Sequence, residues 1–500
     1  MAPEIARTPA APSGSGKTKD ASEAPTLVWF RQDLRLSDNP ALAAAVERNG
    51  PVIPVFIWAP EEEGAWRPGA ASQWWLRCSL AALNAELEKR GSRLIVRLGP
   101  TANALNDLLA ESGASAAFWN RRYEPAAVAR DADLKSQLRE SGIATESFNA
   151  NLLFEPWTIR NGSGQPFRVF TAFWLACLAK PIAPPSKDAP SKLRSPENWP
   201  HSLELSELAL EPTVDWARGL REIWQPGESG AESQLKRFQK ETIQDYPVGR
   251  DKPGVVGTSR LSPHLHFGEI SPGQVWRAVI GAMSDGGIAN YCAFESYLRQ
   301  ICWREFAHQL LYHHPESPGK PLRSEFAAFP WKTDPRTLQA WRQGKTGYPL
   351  VDAGMRELWH TGWMHNRVRM IVASFLVKHL LIGWQEGAAW FWDTLVDADL
   401  ANNTLGWQWV AGCGADAAPY FRIFNPVVQG EKFDPSGIYI RHWVPELSGL
   451  PDDWIHKPWN APGSILKNAG VEIGKTYPNP IIDHNAARER ALAALRYVKG

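Results

Sequence analysis

The sequence predicts a two-part fold: an α/β domain on a doubly wound, parallel, five-stranded sheet, followed by a large all-helical domain. Three observations predict it. Five hundred residues are more than one hydrophobic core usually serves. Short apolar runs alternate with amphipathic stretches over residues 26–155, which is typical of parallel α/β sheets. After Ala231 the strand signals nearly vanish and helical periodicity dominates.

In the first part, five apolar runs predict buried strands, and three amphipathic stretches predict helices between them. Parallel sheets bind ligands at the carboxyl ends of their strands, so residues 30–35 and 120–124 are predicted to flank a small ligand. The predicted strands are Thr26–Phe30, Val52–Trp58, Arg93–Arg97, Ala116–Trp119 and Thr145–Phe148, and the helices are Ser72–Lys89, Ala102–Glu111 and Pro125–Glu140.

The rest of the chain divides by composition. Residues 1–25 are rich in Ala, Pro, Ser and Lys without periodicity, which predicts a disordered leader. Six prolines in Pro181–Pro200 predict a connector. The predicted units are the leader (1–25), the α/β domain (26–155), the connector (156–228) and the helical domain (229–500), whose buried helices include Tyr291–Tyr312, Trp363–Leu380 and Ala388–Leu395.

Composition excludes several classes of protein. With 44% hydrophobic and 21% charged residues, the chain is typical of a globular protein rather than a disordered one. The 54 Lys and Arg balance 53 Asp and Glu, so a polyanion would need a local patch. No apolar run approaches the roughly 20 residues of a membrane helix. The five cysteines form no CxxC pair, which favours a reducing cytoplasm over a disulfide framework or a zinc site.

Motifs rich in Trp, Arg, Asn and Asp carry the functional information. The segment Tyr246–Pro263 mixes glycine, hydroxyl and arginine before a Ser-Pro helix start, which suits a diphosphate. The other motifs are Trp29–Pro40, Trp303-Arg304-Glu305-Phe306, Thr361–Met370, Asp397–Asn403, Gly406–Trp409 and Pro419–Pro426. With these motifs in this order over about residues 26–495, the sequence resembles the photolyase/cryptochrome family, most closely the microbial DNA photolyases that act on cyclobutane pyrimidine dimers.

The resemblance implies FAD in the helical domain, an antenna chromophore with the α/β domain, and light-driven repair of ultraviolet-damaged DNA. Excited reduced FAD would donate an electron to the dimer and receive it back after the cyclobutane ring opens. Arg369 and Asp397 would form a charge-assisted pair beside the flavin, and Asn403 would offer its amide to the flavin N5 edge. The implied FAD-binding residues are Tyr246, Thr258, Ser259, Arg260, Leu261, Ser262, Asn366, Arg369, Asp397, Ala398, Asp399 and Asn403.

The resemblance also implies a pocket for a flipped-out lesion, because a dimer stacked in a duplex cannot reach a buried flavin. Trp303 and Trp409 would stack on the lesion, although core packing is the ordinary role of a buried Trp. A basic rim is predicted from Arg304, Arg367, Arg369, Arg422 and Lys432. The implied lesion-binding residues are Arg250, Gln300, Trp303, Asn366, Met370 and Trp409.

Gln300 departs from the pattern of the resemblance, since dimer photolyases usually have glutamate there. Photolyases acting on (6-4) photoproducts tend to have Gln at this position, but they also tend to have histidines where this chain has Asn366 and Met370. The site is therefore interpreted as cyclobutane-type with one substitution. We expect Gln300→Glu to raise the repair yield per absorbed photon.

The 25 tryptophans outnumber the 19 phenylalanines and 10 tyrosines. The resemblance gives three of them, Trp407, Trp384 and Trp331, the role of an electron relay from the surface to the flavin. Trp390 and Trp392 are interpreted as core rather than as a branch of that relay. The tryptophans outside residues 303–409 are also predicted to be core.

Several alternatives stay open at this point. Methenyltetrahydrofolate is the preferred antenna, with a deazaflavin as the alternative, because residues 120–127 look more like the branch close to plant cryptochromes. A cryptochrome-like photoreceptor without repair activity is the main rival; Gln300 favours it, and a chain ending soon after the predicted helix Ala486–Val498 disfavours it. A (6-4) photolyase is less favoured, and a flavin oxidoreductase least, since no GxGxxG follows the first strand. We predict a monomer with no obligate protein partner and no metal.

Overall fold

The computed structural model describes residues 23–286, 291–417 and 421–499, so most of the predicted leader lies outside the described residues. The first part is a five-stranded sheet in the order β3-β2-β1-β4-β5, and every neighbouring pair is parallel. The five predicted strands are confirmed, with shifts of one or two residues. The strands are β1 (Thr26–Phe30), β2 (Val52–Trp58), β3 (Ile95–Leu98), β4 (Ala116–Asn120) and β5 (Ala144–Phe148).

Helices cover both faces of the sheet, so two separate apolar cores form, one on each side. The strand order reverses between β1 and β4, and polar groups join the two strands there. The Asn120 side-chain amide donates to Asp33 Oδ2 at 2.6 Å and to Asn39 Oδ1 at 2.8 Å. The helices of this part are α1 (Pro40–Glu47), α2 (Ala70–Glu88), α3 (Thr101–Ser112) and α4 (Pro125–Glu140).

The predicted connector contains two helices, α5 (Phe170–Leu178) and α6 (Arg218–Ile223), while the proline-rich stretch itself has none. The helix α5 belongs to a packed core, because Phe170, Phe173 and Trp174 are buried within it. This part of the chain is therefore more than a spacer between the two ends of the molecule.

The second part is helical, as predicted. Its long central helices lie side by side, with one large apolar cluster within residues 326–494 and a second within residues 153–310. The helices are α7 (Glu228–Glu241), α8 (Tyr246–Gly249), α9 (Ser262–His266), α10 (Pro272–Gly286), α11 (Tyr291–His313), α12 (Pro335–Arg342), α13 (Pro349–Thr361), α14 (Asn366–Ser374), α15 (Trp384–Thr394), α16 (Leu400–Ala411), α17 (Pro426–Phe433), α18 (Ile438–Trp443), α19 (Asp452–Ile455), α20 (Gly463–Asn468) and α21 (His484–Lys499).

One predicted helix, Trp363–Leu380, begins three residues late. Gly362, at φ +65°, ends α13, and His365 then caps α14 by accepting a hydrogen bond from the Arg367 N–H at its Nδ1. A π-helical turn, Phe375–Leu380, follows α14. This shift places Thr361–His365 in a turn and puts Asn366 at the first position of the helix.

Buried polar contacts tie the two parts together. The Trp75 Nε1–H of α2 donates to Glu269 Oε1 at 2.9 Å, and Arg35 Nη1 donates to the carbonyl of Gly268 at 2.8 Å. Trp75, Arg35 and Glu269 are each at most 1% exposed. Within the ranges that the structure describes, no helix is both long and apolar enough to cross a membrane.

Candidate functional site

The segment between α8 and α9 forms a loop whose two ends are in close contact at Gly249 and Gly257. An added Cβ at Gly257 would lie 2.2 Å from the carbonyl oxygen of Gly249, so a side chain at Gly257 would collide with the other end of the loop. The loop carries Arg250 at its start and leads into Thr258, Ser259 and Arg260 at its end. The predicted phosphate-binding residues therefore lie together where the loop returns to the helical core.

Arg260 is a half-buried cation in an unusual backbone conformation. Its φ of +51° is uncommon for a residue with a bulky side chain, and its guanidinium lies 4.8 Å from the ring centroid of Trp363. Burial lowers the pKa of Arg260. No carboxylate of residues 23–286, 291–417 or 421–499 lies within ion-pair distance of it.

The carboxyl group that influences the pKa of Arg260 from a distance is that of Glu357, and it already accepts two hydrogen bonds. Glu357 Oε2 accepts hydrogen bonds from the His365 N–H at 3.1 Å and from the Tyr439 hydroxyl at 2.6 Å. Burial raises the pKa of Glu357, although its hydrogen bonds with Tyr439 and His365 oppose the rise. A half-buried guanidinium without a counter-ion, beside the hydroxyls of Thr258 and Ser259, fits the diphosphate of FAD.

The predicted flavin-ring residues lie where α14 packs against α16. Arg369 Nη2 donates to both carboxylate oxygens of Asp397, at 3.1 and 2.9 Å, and Arg369 Nε donates to the Met364 carbonyl at 2.8 Å. The Asp397 side chain is only 3% exposed, so the pair is largely shielded from water. The predicted charge-assisted pair is present in the structure.

Asp399 is the N-cap of α16 and faces two histidines. Its Oδ1 accepts the Asn402 N–H at 2.8 Å, and its Oδ2 lies 3.4 Å from His308 Nε2 and 3.8 Å from His266 Nδ1. Burial alone would raise the pKa of Asp399, but the two histidines hold it well below its ordinary value. Asn403, one turn later, donates from its side-chain amide to the Ala388 carbonyl of α15 at 3.0 Å.

The helix α11 brings three predicted lesion residues together. Arg250 Nη2 donates to Gln300 Oε1 at 3.3 Å, and Gln300 Nε2 donates to the Ser296 carbonyl at 3.2 Å. Trp303, one turn further along, stacks on Phe170 of α5 with ring centroids 3.7 Å apart. Phe170 was missed by the sequence analysis, because nothing in the local sequence of the connector links it to Trp303.

The other predicted lesion residues lie on α14 and α16. Asn366 is exposed, whereas Met370 and Trp409 are half-buried. Within the described ranges, no ring contact joins Trp409 to Trp303, so the structure groups Arg250, Gln300 and Trp303 but does not bring the two tryptophans into contact.

The predicted basic rim is only partly present. Arg422 and Lys432 are exposed, but Arg367 donates to Asp251 Oδ1 at 2.7 Å. Arg304 was predicted wrongly: its side chain is 11% exposed and donates to the Asn151 carbonyl at 2.5 Å. It points inward because α11 is buried on the side that faces the end of the α/β part.

The three relay tryptophans belong to or pack against one apolar cluster around α15, with Trp384 and Trp407 buried and Trp331 half-buried. An added Cβ at Gly387 would lie 2.0 Å from Cη2 of Trp407, and one at Gly383 would lie 3.9 Å from Cγ of Trp331. Trp384 begins α15, between these two glycines in the chain, but no ring contact joins it to Trp331 or Trp407 among the described residues, so the order of the relay stays a prediction. The ring neighbours of Trp407 are Phe391 at 5.0 Å and Trp341 at 6.3 Å.

Trp390 and Trp392 were interpreted as core, but both are half-buried. Trp390 lies parallel to the exposed Trp359 at 5.9 Å, and Trp392 contacts Trp66 edge-on at 5.4 Å. They pack against the large apolar cluster from its outside.

A second site lies at the carboxyl ends of β1 and β2, where a narrow cleft is partly open to solvent. Its walls combine aromatic rings with paired charges: Arg31 and Arg130 lie 4.3 and 5.4 Å from the ring centroid of Trp29, and Arg122 contacts Glu63 at 2.7 Å. The residues that line it include Trp29, Arg31, Gln32, Trp58, Glu63, Trp66, Arg122, Arg130, His266, Phe267, Trp392 and Ala398.

The cleft bears on two predictions. Arg31, Gln32 and Arg122 line it and come from the segments predicted to flank a ligand, while ligand binding there stays a prediction. The prediction that tryptophans outside residues 303–409 are core was wrong for Trp58 and Trp66, which are half-buried in the cleft wall. The prediction is correct for Trp75, Trp119 and Trp174, which are at most 2% exposed.

Comparison with known proteins identifies both parts. Residues 26–191 match the family model of DNA photolyase, and residues 297–497 match the FAD binding domain of DNA photolyase. A deoxyribodipyrimidine photo-lyase of Agrobacterium fabrum is 53% identical over 95% of this chain and 98% of its own length. Cryptochrome-1 of Arabidopsis thaliana is 45% identical over 94% of this chain and 70% of its own length.

Solved structures agree with these matches. The crystal structure of a bacterial class III photolyase from Agrobacterium tumefaciens has a TM-score of 0.92 and 51% identity, over 97% of this chain and 100% of that one. An archaeal photolyase from Sulfolobus tokodaii, solved with two FAD molecules, has a TM-score of 0.78 and 30% identity, over 95% of this chain and 100% of that one.

The parallel α/β sheet and the helical FAD-binding domain together define a flavoprotein of the light-driven class. The chain belongs to the photolyase/cryptochrome family.

Proposed function

We propose that this protein is a DNA-repair lyase that uses light to split cyclobutane pyrimidine dimers. The observation that carries the proposal is that the residues suited to a flipped-out base lie next to the loop suited to a diphosphate. Gln300 and Trp303, suited to a flipped-out base, share α11. Gln300 also accepts a hydrogen bond from Arg250, which belongs to the same loop as the phosphate-type residue Arg260. Relatives that are deoxyribodipyrimidine photo-lyases support the same activity.

When bound and reduced, FAD would supply the reversible, light-driven electron transfer that opens the cyclobutane ring. The protein's share is binding and orientation. Arg260, with Thr258 and Ser259, would hold the diphosphate, and the Arg369–Asp397 pair would face the flavin ring. Trp303 would stack on one base of the lesion while Gln300 hydrogen-bonds a pyrimidine edge.

We propose that the enzyme acts as a monomer on ultraviolet-damaged DNA without an obligate protein partner. Phosphate contacts by exposed cations such as Arg422 and Lys432 should make binding to DNA weaken as salt increases.

The lesion class is tested by a repair assay under illumination, with one oligonucleotide carrying a cyclobutane dimer and a matched one carrying a (6-4) photoproduct. We expect repair of the first alone, since Asn366 and Met370 stand where (6-4) enzymes tend to have histidine. Reversal of only the (6-4) lesion would reassign the substrate, and repair of neither would favour the photoreceptor alternative. A sample kept in the dark controls for light-independent loss of the lesion.

We further propose that the cleft at the end of β1 and β2 holds the antenna chromophore, with methenyltetrahydrofolate preferred over a deazaflavin. Its aromatic walls suit a planar ring, because offset stacking on Trp is favourable. Arg31, Arg122 and Arg130 are already paired with Asp131 and Glu63, which suits a ring that carries little charge. Heat release followed by an absorption spectrum of the free chromophore distinguishes folate, deazaflavin and a second flavin.

Replacement of a cleft wall tests the location of the antenna. Trp58→Ala should remove the antenna absorbance while the flavin absorbance stays. Trp199→Ala is the matched control, since Trp199 is a half-buried tryptophan that packs near the α/β core outside the cleft lining. Retention of the antenna by Trp58→Ala would place the chromophore elsewhere.

A further inference from the structure

The helix α5 packs directly against the lesion-binding part of α11. Phe170, its first residue, is 1% exposed, and its ring lies parallel to Trp303 with centroids 3.7 Å apart and planes 7° apart. Within the described ranges, no other stacked aromatic pair is this close. Trp303 itself is half-buried, so one of its faces is covered by Phe170 while part of the ring stays accessible.

Two contacts hold Phe170 in place. The guanidinium of Arg299, one turn before Trp303 on α11, lies 5.3 Å from the centroid of the Phe170 ring. The ring of Phe170 also packs edge-on against Phe306 of α11, with centroids 6.0 Å apart. The ring of Phe170 is therefore held beside Trp303 by contacts of its own.

The backbone of Phe170 also reaches the segment that follows α16. Its N–H donates to the carboxylate of Asp416, a residue with φ +49°, and this hydrogen bond opposes the rise in the Asp416 pKa that burial causes. Asp416 lies shortly after Trp409 in the chain. A carboxylate at the N-terminus of α5 is favourable because the first N–H groups of a helix lack internal partners.

A stacking residue binds a flipped base best when its plane is already fixed, because immobilising a free side chain on binding costs affinity. A tryptophan with both faces free would also offer two alternative stacking positions. Phe170 removes one of those faces and holds the ring plane of Trp303.

We propose that Phe170 is a positioning residue of the lesion site. It stacks on one face of Trp303, so the indole presents its other face, in a fixed orientation, to the flipped dimer. The inference rests on the proposed function, because it deepens the account of how that site selects damaged DNA. It gives the segment between the two parts of the chain a role in substrate recognition.

The test compares three variants as FAD-loaded proteins, with dissociation constants measured for dimer-containing and undamaged duplexes. Phe170→Leu keeps the site apolar but removes the aromatic plane, and we expect the preference for damaged DNA to fall by about three- to tenfold, the range of an aromatic stacking contact. Phe170→Tyr keeps the plane and should retain the preference. Phe173→Leu is the matched control, since Phe173 is 2% exposed on the same helix and its ring contacts do not include Trp303.

The pattern across the variants separates positioning from simple loss of stability. Thermal midpoints should fall for both leucine variants, whereas the binding preference should fall only for Phe170→Leu. An equal loss of preference in Phe173→Leu, or an unchanged preference in Phe170→Leu, would overturn the inference and leave the proposed function intact. A wild-type protein with no preference for the dimer would overturn both.

Discussion

In both parts of the molecule a candidate site is lined with tryptophan and arginine, but the two sites differ in whether the arginines are ion-paired. In the cleft of the α/β part, Arg31 pairs with Asp131 at 2.7 Å, and Arg122 and Arg130 share Glu63 at 2.7 and 3.3 Å. In the helical part, Arg260 has no ion-pair partner among the described residues. A wall of paired charges suits a largely neutral ring, whereas an unpaired buried cation needs an anionic ligand.

The two parts also hold buried carboxyl groups in opposite states. Burial would raise the pKa of Glu63, but Arg122 and Arg130 lower it to about 2. Burial raises the pKa of Glu305 to about 7, although Arg304 and the backbone N–H groups of residues 153 and 154 oppose the rise. Glu63 is therefore stabilised in its ionised form beside the cleft, whereas Glu305 is stabilised in its protonated form in the helical part.

The largest expected effect is the loss of flavin from Arg369→Leu. This change leaves the carboxylate of Asp397 buried without its cation, and an uncompensated buried charge costs about 3–5 kcal/mol. We expect the variant to purify with little FAD and a lower thermal midpoint, measured by flavin absorbance and thermal unfolding.

Arg97→Leu is the matched control for that prediction, because the pair between Arg97 and Glu111 lies in the α/β part, away from both sites. It should retain one FAD per chain. If Arg369→Leu also retained a full complement of flavin, the pair would not belong to the flavin site.

The next largest effect is expected from Trp407→Phe. Phenylalanine keeps the ring in the pocket against Gly387 but is far harder to oxidise, so photoreduction of the oxidised flavin should slow several-fold. Repair by enzyme reduced chemically beforehand should change little. Transient absorption and a repair assay measure the two rates separately.

Trp119→Phe provides the comparison from the other part of the molecule. Trp119 is equally buried, and its indole N–H has no hydrogen-bond partner among the described residues, so its replacement should be tolerated. Photoreduction at the wild-type rate in both variants would remove Trp407 from the relay.

A smaller effect is expected from Gln300→Glu. Arg250 already donates to the side-chain oxygen of Gln300, and a carboxylate there would convert that hydrogen bond into an ion pair. We expect a modest rise in dimers repaired per absorbed photon, with flavin content unchanged. Gln239→Glu, a half-buried change on α7, should leave the yield as it is. A yield that stays constant or falls in Gln300→Glu would contradict the interpretation of this position.

The smallest effect is a pair of opposite pH dependences. The lowered pKa of Glu63 contributes stability that is present above the unfolded value of about 4.3 and lost as pH falls toward 2. The raised pKa of Glu305 contributes stability below about 4.3 that is lost as pH rises through 7.

Thermal midpoints at pH 5 and pH 8 measure that difference. Relative to the wild type, Glu305→Gln should gain several degrees more at pH 8 than at pH 5, whereas Glu63→Gln should be destabilised at both. Equal shifts of Glu305→Gln at the two pH values would mean that Glu305 is ionised throughout.

Local sequence was sufficient for most of the fold. The bounds of the strand Val52–Trp58 and of the helix Pro125–Glu140 were predicted to the residue. Their periodicity and the Gly and Pro residues at their ends are signals that the local sequence carries by itself. The late start of α14 was not predictable in this way, since the capping by His365 depends on the turn that Gly362 makes.

The sequence by itself determined the two-part architecture, the family, and the residue types available for a flavin and a flipped base, because these depend on periodicity and on motifs contiguous in the chain. Only the tertiary structure decided which arginines keep an unpaired charge, that Arg304 points inward, that Trp58 and Trp66 line a cleft, and that Phe170 backs Trp303. The physical reason is that burial, pairing and stacking are properties of packed surfaces, which segments far apart in the chain build together.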